Sequence, residues 1–241
     1  MKKIFCFAVL ALLLASVLAA PKGEFWEKKD YKEWTQKECG KVLEDSPWAK
    51  ALTLTAVTVG GDTRDNSTDG QQPNTTYRIQ LFSAKPIRLA TVRQAQIAQK
   101  YDSLPAEQKQ EMDKRSEAFL SADFSDAVVV NISYLVNNRA SDLELARHWQ
   151  SQTRDVLKNS VYISNSKGEK IYISRYQAGQ GAERTFQFIF PRQVDGKPLL
   201  NPQDKNLKLE FPYPVIRGMG DGRAFMEFKV DKMIFEGDIA Y

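Results

Sequence analysis

The chain is poor in the residues that most often carry reactive chemistry, because its 241 residues include one histidine and two cysteines. Cys6 lies in an apolar N-terminal run, so His148 and Cys39 are the two that remain. Two residues cannot supply the three or four soft ligands of a zinc site. A Ser-His-Asp or Cys-His mechanism would have to use His148, which has no nucleophile motif nearby. The sequence therefore identifies no catalytic residue and no cofactor.

A single remaining thiol also excludes an internal disulfide, so the hydrophobic core must hold the fold together. Cys39 lies in a helix predicted from Trp34 to Leu43, where a buried and inert thiol is the favoured interpretation. An intermolecular disulfide or a reactive thiol is the alternative.

The chain has little excess charge, with 34 basic and 30 acidic side chains. Without Lys2 and Lys3, 32 basic side chains stand against 30 acidic ones. Such a mixed surface lacks the basic stripe of a nucleic-acid-binding protein. We therefore predict no nucleic-acid partner, and no basic cluster suited to an anionic membrane.

One long hydrophobic run is present, and it predicts a secretory signal peptide over residues 1–19. Lys2 and Lys3 precede an apolar stretch that ends in small residues, with Ala19 at the expected cleavage site. The stretch is shorter than the roughly 20 apolar residues of a transmembrane helix. We therefore expect a periplasmic or secreted protein with no stable membrane anchor after cleavage.

Residues 20–50 are predicted to form a tether and one helix. Thr35 and Glu38 have the spacing of a capping box, and Pro47 ends the helix. Four large rings crowd this segment, and we interpret them as docking the helix onto the main body rather than as a carbohydrate platform. These rings are Trp26, Tyr31, Trp34 and Trp48.

Residues 51–241 are predicted to form an α+β domain that is mainly an antiparallel β-sandwich, immunoglobulin-like or related. Apolar residues alternate with polar ones along the distal half, which indicates strands with one buried face. The predicted inward rows are Phe186, Phe188 and Phe190; Leu207, Leu209 and Phe211; and Met226, Phe228 and Val230. After Asp231 the alternation changes phase, which predicts a bulge or kink.

Helical insertions are predicted near residues 86–122 and 141–158. Pro86 opens the first insertion, an antiparallel pair of helices whose second member should turn Met112, Phe119 and Leu120 inward. Ser141 and Glu144 form a second potential capping box, which predicts a helix that continues to about Lys158.

A polar loop over residues 60–76 contains the best metal-binding motif. Asp65, Ser67 and Asp69 place oxygen ligands at alternate positions before Gly70, as in a calcium loop. Thr76 stands where the bidentate glutamate of such a loop belongs. These three residues are candidate calcium ligands, and a solvated loop is the favoured interpretation.

Two further motifs could suggest chemistry. Residues 218–222 are rich in glycine but lead into a strand, whereas phosphate loops lead into a helix, so we interpret them as a turn. The pair Asp123 and Asp126 could in principle serve glycoside hydrolysis. Sequence spacing does not set the separation of these carboxyl groups.

Several short motifs resemble a group of uncharacterised exported bacterial proteins. The first is the W-T-x-K-E and S-P-W-A start, at residues 34–38 and 46–49. Residues 88–104 and 190–198 extend the likeness over most of the mature chain. The resemblance implies a bacterial, exported setting and implies no activity.

Two functional hypotheses follow. The first is an exported non-enzymatic binding or structural module that recognises a protein, glycan or other envelope component, since loops on rigid sandwiches commonly carry recognition. The second is a carboxylate-dependent hydrolase of glycans or envelope polymers, which the compartment and the supply of acids allow. We favour the first.

Overall fold

The structure is a computed structural model, which describes residues 23–55, 74–215 and 222–241. The predicted signal peptide and the candidate calcium ligands lie outside these residues. About a third of the described residues are helical (35%) and a third are in strands (34%). All strand pairs are antiparallel, which confirms the α+β class with antiparallel sheets.

Helices flank the strands in the first two thirds of the chain. The α-helices within the described residues are α1 (Phe25–Lys28), α2 (Gln36–Glu44), α3 (Lys85–Ala98), α4 (Ala106–Leu120), α5 (Arg139–Ser151) and α6 (Arg154–Leu157). Of these, α3 and α4 lie near the first predicted helical insertion, and α5 and α6 lie near the second.

The strands form two main sheets and two short ribbons. The strands are β1 (Ala49–Thr55), β2 (Asn74–Leu81), β3 (Ala127–Val136), β4 (Tyr162–Ser164), β5 (Lys170–Tyr172), β6 (Arg175–Ala178), β7 (Thr185–Pro191), β8 (Gln193–Val194), β9 (Lys197–Pro198), β10 (Asn206–Tyr213), β11 (Gly222–Lys229), β12 (Ile234–Phe235) and β13 (Asp238–Ile239). The larger sheet has the order β1-β2-β3-β7-β6 and the smaller sheet β11-β10-β4-β5. The pairs β8–β9 and β12–β13 form the ribbons.

The two main sheets contact each other through aromatic side chains. The ring of Phe211, on β10, lies 6.0 Å from that of Tyr77 on β2 and 5.5 Å from that of Phe188 on β7. Trp149 of α5 reaches the same cluster and stacks on Phe186 at 4.1 Å. The alternating apolar residues of both sheets therefore meet in one core, and all three predicted inward rows are buried.

The N-terminal segment docks on this core through its tryptophans, as the sequence predicts. Trp26, Trp34 and Trp48 are buried, and Arg93 of α3 donates a hydrogen bond from Nε to the Trp34 carbonyl at 3.0 Å. Trp48 also contacts Phe235 of the C-terminal ribbon, with ring centroids 6.2 Å apart. These rings are part of the core, so they do not form a carbohydrate platform.

The capping box at the start of α2 is confirmed. The Thr35 side chain accepts a hydrogen bond from the Glu38 amide, and the Glu38 carboxylate accepts one from the Thr35 amide at 2.7 Å. Lys29 pairs with the same carboxylate at 2.9 Å. The hydrogen bond from the Thr35 amide is the largest cause of a lowered Glu38 pKa, and the bond from Lys29 is the next. Together they lower this pKa to about 2 from its usual 4.5.

We expect Glu38→Gln to lower the free energy of unfolding by about 1 kcal/mol at neutral pH, because the cap loses its charged acceptor. Because the pKa of Glu38 is lower in the folded protein than its usual 4.5, the ionised carboxylate stabilises the fold above pH 4.5. This contribution is lost as the pH falls towards about 2. Urea unfolding over this range should show the two proteins converging at low pH. The solvent-exposed Glu33→Gln is the control, and a gap independent of pH would contradict the prediction.

The helix predicted to start at Ser141 begins earlier and ends sooner. Asn138 is the N-cap of α5, and its side chain accepts hydrogen bonds from the amides of Ala140 and Ser141 at 3.0 and 3.1 Å. The predicted capping box at Ser141 is therefore wrong, and Ser141 is buried inside the first turn. The helix stops at Ser151, because Thr153 caps the separate helix α6.

The first insertion is a helical hairpin in which α3 is buried and α4 is peripheral. Pro86 lies in the first turn of α3, as predicted. No residue of α4 is fully buried, so Met112, Phe119 and Leu120 are only partly covered. Phe119 packs on Phe82 at 5.7 Å. The hairpin thus joins the core mainly through the buried residues of α3, and α4 presents a charged surface.

Candidate functional site

The sequence-predicted metal site cannot be placed on the fold, because Asp65, Ser67 and Asp69 lie outside the described residues. Within residues 23–55, 74–215 and 222–241 there is no group of three or more potential metal-ligating His, Cys, Asp or Glu side chains. Of the glycine-rich residues 218–222, only Gly222 is described. It begins strand β11.

The two residues considered for nucleophilic chemistry are held in the core or at its edge. Cys39 is fully buried, and this burial raises the pKa of its thiol, which favours the inert form. His148 is half-buried on α5, its ring edge-on to Trp149 at 4.9 Å, and burial lowers its pKa. The predicted burial of Cys39 is confirmed.

Hydrogen bonds and ion pairs lower the pKa of several described acids. Asp123 accepts hydrogen bonds from the Ser125 amide at 2.8 Å and hydroxyl at 3.0 Å, and these bonds lower its pKa. Among the described carboxyl groups, every one whose pKa is shifted has it lowered. A glycosidase general acid needs the opposite shift.

An exposed row of aromatic residues crosses the smaller sheet on the side away from the core. Phe225 on β11 is directly opposite Glu210 on β10, Glu210 is opposite Tyr162 on β4, and Tyr162 is opposite Tyr172 on β5. We call these four residues the aromatic row. Three inter-strand spacings give it a span of about 14 Å. Directly opposite residues point to the same face, so the four side chains form one surface.

Two rings of the aromatic row are open to solvent. Phe225 is 51% exposed and Tyr172 is 44% exposed. The rings of Tyr162 and Tyr172 meet edge to face at 5.5 Å. The neighbouring residues on the same strands, such as Ile163, Ile171 and Met226, are buried on the opposite face. The smaller sheet thus has an apolar inner face, and an outer face on which three aromatic side chains lie among charged ones.

Charged side chains fix the centre of the aromatic row. The Glu210 carboxylate accepts hydrogen bonds from the Tyr162 hydroxyl and from Nε of Arg223, the latter at 2.6 Å. The Tyr162 bond is the main cause of a lowered Glu210 pKa, and Arg223 adds to it. The Lys170 ammonium lies 4.1 Å from the Tyr162 ring centroid. The interaction with Tyr162 raises the pKa of Lys170.

Hydrogen bonds hold Tyr162 and Glu210 in place before any ligand binds. Arg223 is itself anchored, because its Nη2 donates to the Ser160 carbonyl at 2.8 Å. Lys208 lies 5.6 Å from the ring of Phe225 and supports the other end. Because Tyr162 and Glu210 are already held in place, they lose little side-chain entropy on binding a ligand.

The aromatic row was missed at the level of the sequence, although a signal for it exists. The alternation that turns Ile163, Ile171 and Met226 inward also turns Tyr162, Tyr172 and Phe225 outward, because successive strand residues face opposite sides. Outward positions of a half-exposed sheet are usually polar. Aromatic residues at three such positions are therefore informative.

The chain matches no protein-family model, no curated protein and no solved structure. In the part of the chain that the structure describes, none of the helices has the length and apolarity needed to cross a bilayer.

Proposed function

We propose that the protein is an exported, non-enzymatic binding module of the bacterial envelope, and that its aromatic row binds a glycan chain. The observation that carries this proposal is the exposure of Tyr172 and Phe225 on a face where Tyr162 and Glu210 are already fixed. Export rests on the N-terminal sequence, and the bacterial setting rests on the resemblance of the sequence motifs.

The two-sheet arrangement provides a rigid base for such a surface. We infer that the sheets form a β-sandwich of the immunoglobulin-like or a related type. Support comes from the contacts of Phe211 with Tyr77 and Phe188, which join the inner faces of the two sheets. A packed inner face leaves the outer face of the smaller sheet free to recognise a ligand.

Sugar rings suit the chemistry of the aromatic row. The apolar C–H face of a pyranose can lie on an aromatic ring, while its hydroxyl groups reach polar side chains at the edge. Lys170, Glu210 and Arg223 supply such groups beside Tyr162. Charged residues are depleted in the cores of protein–protein interfaces, so this mixture of rings and charges favours a glycan over a protein partner.

The hydrolase hypothesis receives less support. A glycosidase needs one carboxyl group kept protonated near neutral pH and a second one ionised. The shifted carboxyl groups of the described residues, Glu210 included, favour the ionised form. The single acid in the aromatic row is also engaged by Tyr162 and Arg223, which suits orientation of a ligand.

The test is glycan binding by the mature chain and its variants. Soluble peptidoglycan fragments and neutral polysaccharides are titrated into the protein by calorimetry. We expect Phe225→Ala and Tyr172→Ala each to weaken binding about tenfold, the equivalent of about 1.4 kcal/mol, because each removes an exposed ring.

Leu135→Ala is the matched control, because this exposed apolar side chain lies on β3 of the other sheet. It should leave binding unchanged. Failure of every glycan to bind the wild-type chain would refute the proposal, as would equal binding by the wild type and the two ring variants.

A further inference from the structure

The smaller sheet ends on one side at β11, a long edge strand whose outer backbone groups are open. In an antiparallel sheet, half of the backbone N–H and C=O groups of an edge strand point away from its neighbour. Within the described residues, the backbone of Gly222–Lys229 forms hydrogen bonds with no segment other than β10. The free side of β11 can therefore pair with another strand.

The other three edges of the two main sheets are protected. Strands β5 and β6 have three and four residues, and such short edges offer few groups for pairing. Strand β1 is longer, but Lys50 lies directly opposite Ile79, on the core-facing side of the larger sheet. An inward-facing charge discourages the addition of a strand. By contrast, β11 has eight residues in unbroken register, with no proline and no charge on its buried face.

The outer face of β11 carries a charge pattern that is complementary to itself. Arg223, Phe225 and Glu227 follow one another along this face, so the ring lies midway between two opposite charges. When two copies of β11 pair antiparallel about Phe225, the two rings are direct neighbours. Each Arg223 is then opposite Glu227 of the other copy. Directly opposite residues have Cβ atoms about 4.5–5.5 Å apart, which allows both kinds of contact.

Neighbouring registers lack this match. An axis one residue further along the strand puts Arg223 opposite Lys229 and Phe225 opposite Glu227, and like charges directly opposite are destabilising. An axis one residue earlier puts Arg223 opposite Phe225 and leaves Glu227 with no residue of β11 opposite it. An axis between two residues sets the outer face of one copy against the inner face of the other. The register about Phe225 alone pairs both the rings and the charges.

The three side chains are accessible for this pairing. Glu227 is exposed and forms no ion pair with any residue that the structure describes. Arg223 uses Nε for Glu210 and Nη2 for the Ser160 carbonyl, and its Nη1 has no acceptor in the described part of the chain. Half of Phe225 is in water, so packing it against its copy buries apolar surface.

We propose that two copies of the chain form a symmetric dimer by pairing their β11 strands antiparallel, with the two-fold axis at Phe225. The smaller sheets, of four strands each, then join into one sheet of eight strands. Such a contact is closed, because each copy covers the open edge of the other. A second copy is the partner, rather than an unrelated peptide, because the outer face of β11 is complementary to itself.

The dimer deepens the proposed function, although its formation does not depend on that function. The aromatic rows of the two copies meet end to end at Phe225 and cross seven inter-strand spacings, about 34 Å. A surface of this length is suited to a glycan polymer, and this consequence alone rests on the proposed glycan binding.

The test is the mass of the mature chain, measured by sedimentation equilibrium over a range of concentrations. We expect twice the mass of the single chain. Glu227→Arg sets like charges opposite each other and should raise the dissociation constant of the dimer about tenfold or more. Glu117→Arg makes the same change of charge at an exposed residue of α4, and should dimerise as the wild type does. Tyr172→Ala lies at the far edge of the sheet and should also dimerise normally, whatever happens to glycan binding.

Mild oxidation of cysteine variants tests the register. Phe225→Cys places two thiols directly opposite each other, with Cα atoms about 4.5–5.5 Å apart, which a disulfide can bridge. Glu227→Cys, on the same face, separates them by four residues, about 14 Å, and should not cross-link. Cys39 is buried and does not compete. A chain that stays monomeric up to about 1 mM, assemblies larger than a dimer, or preferential cross-linking of Glu227→Cys would each overturn the proposal.

Discussion

Replacing Phe211 by alanine should lower the free energy of unfolding by about 3–5 kcal/mol, a large part of the stability of an ordinary domain. The ring is fully buried and lies at the point where the two sheets meet. Besides its contacts with Tyr77 and Phe188, it lies 6.3 Å from Trp149. Its removal leaves a cavity between the two sheets, which can be filled only if the sheets move closer together.

Phe225→Ala is the matched control, because it makes the same change on the neighbouring strand but on the exposed face. We expect it to cost less than about 1 kcal/mol, since half of the ring is already in water. Chemical denaturation of the two variants measures the difference. Equal losses of stability would contradict the assignment of the two faces of the smaller sheet.

Asn165→Ala should lower the free energy of unfolding by about 2–4 kcal/mol, because it leaves several buried polar groups without partners. The side chain is buried in the turn between β4 and β5, and its Oδ1 accepts from the amides of Lys167 and Glu169 at 3.0 and 3.1 Å. Its Nδ2 donates to the Leu199 carbonyl at 3.1 Å and to the Glu169 carboxylate at 2.6 Å.

Thermal unfolding of the variant, compared with Asn201→Ala, provides the measurement. Asn201 is a partly exposed loop residue whose side chain accepts one amide hydrogen bond, from Gln203 at 3.0 Å. We expect its replacement to cost about 1 kcal/mol or less. If the two variants melt together, the Asn165 network does not have the stabilising role that the structure indicates.

Local periodic patterns predicted the framework of this fold correctly. The alternation around Phe188, Leu209 and Phe228 places each of these residues in the core, because a period of two directs every second side chain to one face. The Thr35–Glu38 capping box was also predictable, because both partners lie within one helical turn.

Where two local signals compete, the sequence pattern was less reliable. Asn138 and Ser141 are both good N-cap residues, and the upstream asparagine is the cap. The phase change after Asp231 was predicted as a bulge or kink, and the structure has a short 3₁₀ turn over Val230–Lys232. Beyond this turn Met233 is the next buried residue, so the alternation of buried residues along β11 does not continue in phase.

The aromatic row depends on contacts between distant segments, which no local pattern contains. It requires the register that places Glu210 between Tyr162 and Phe225. Periodicity indicates which face a residue occupies, but not its neighbours across the sheet.

The contact between Trp48 and Phe235 has a consequence for the order of folding. The two rings are far apart in the sequence, so Trp48 cannot be fully covered until the C-terminal ribbon has docked. Closing so long a loop is entropically expensive, and folds dominated by such distant contacts form slowly. A nascent chain that lacks its final residues would carry exposed indole rings, which are a ready target for chaperones.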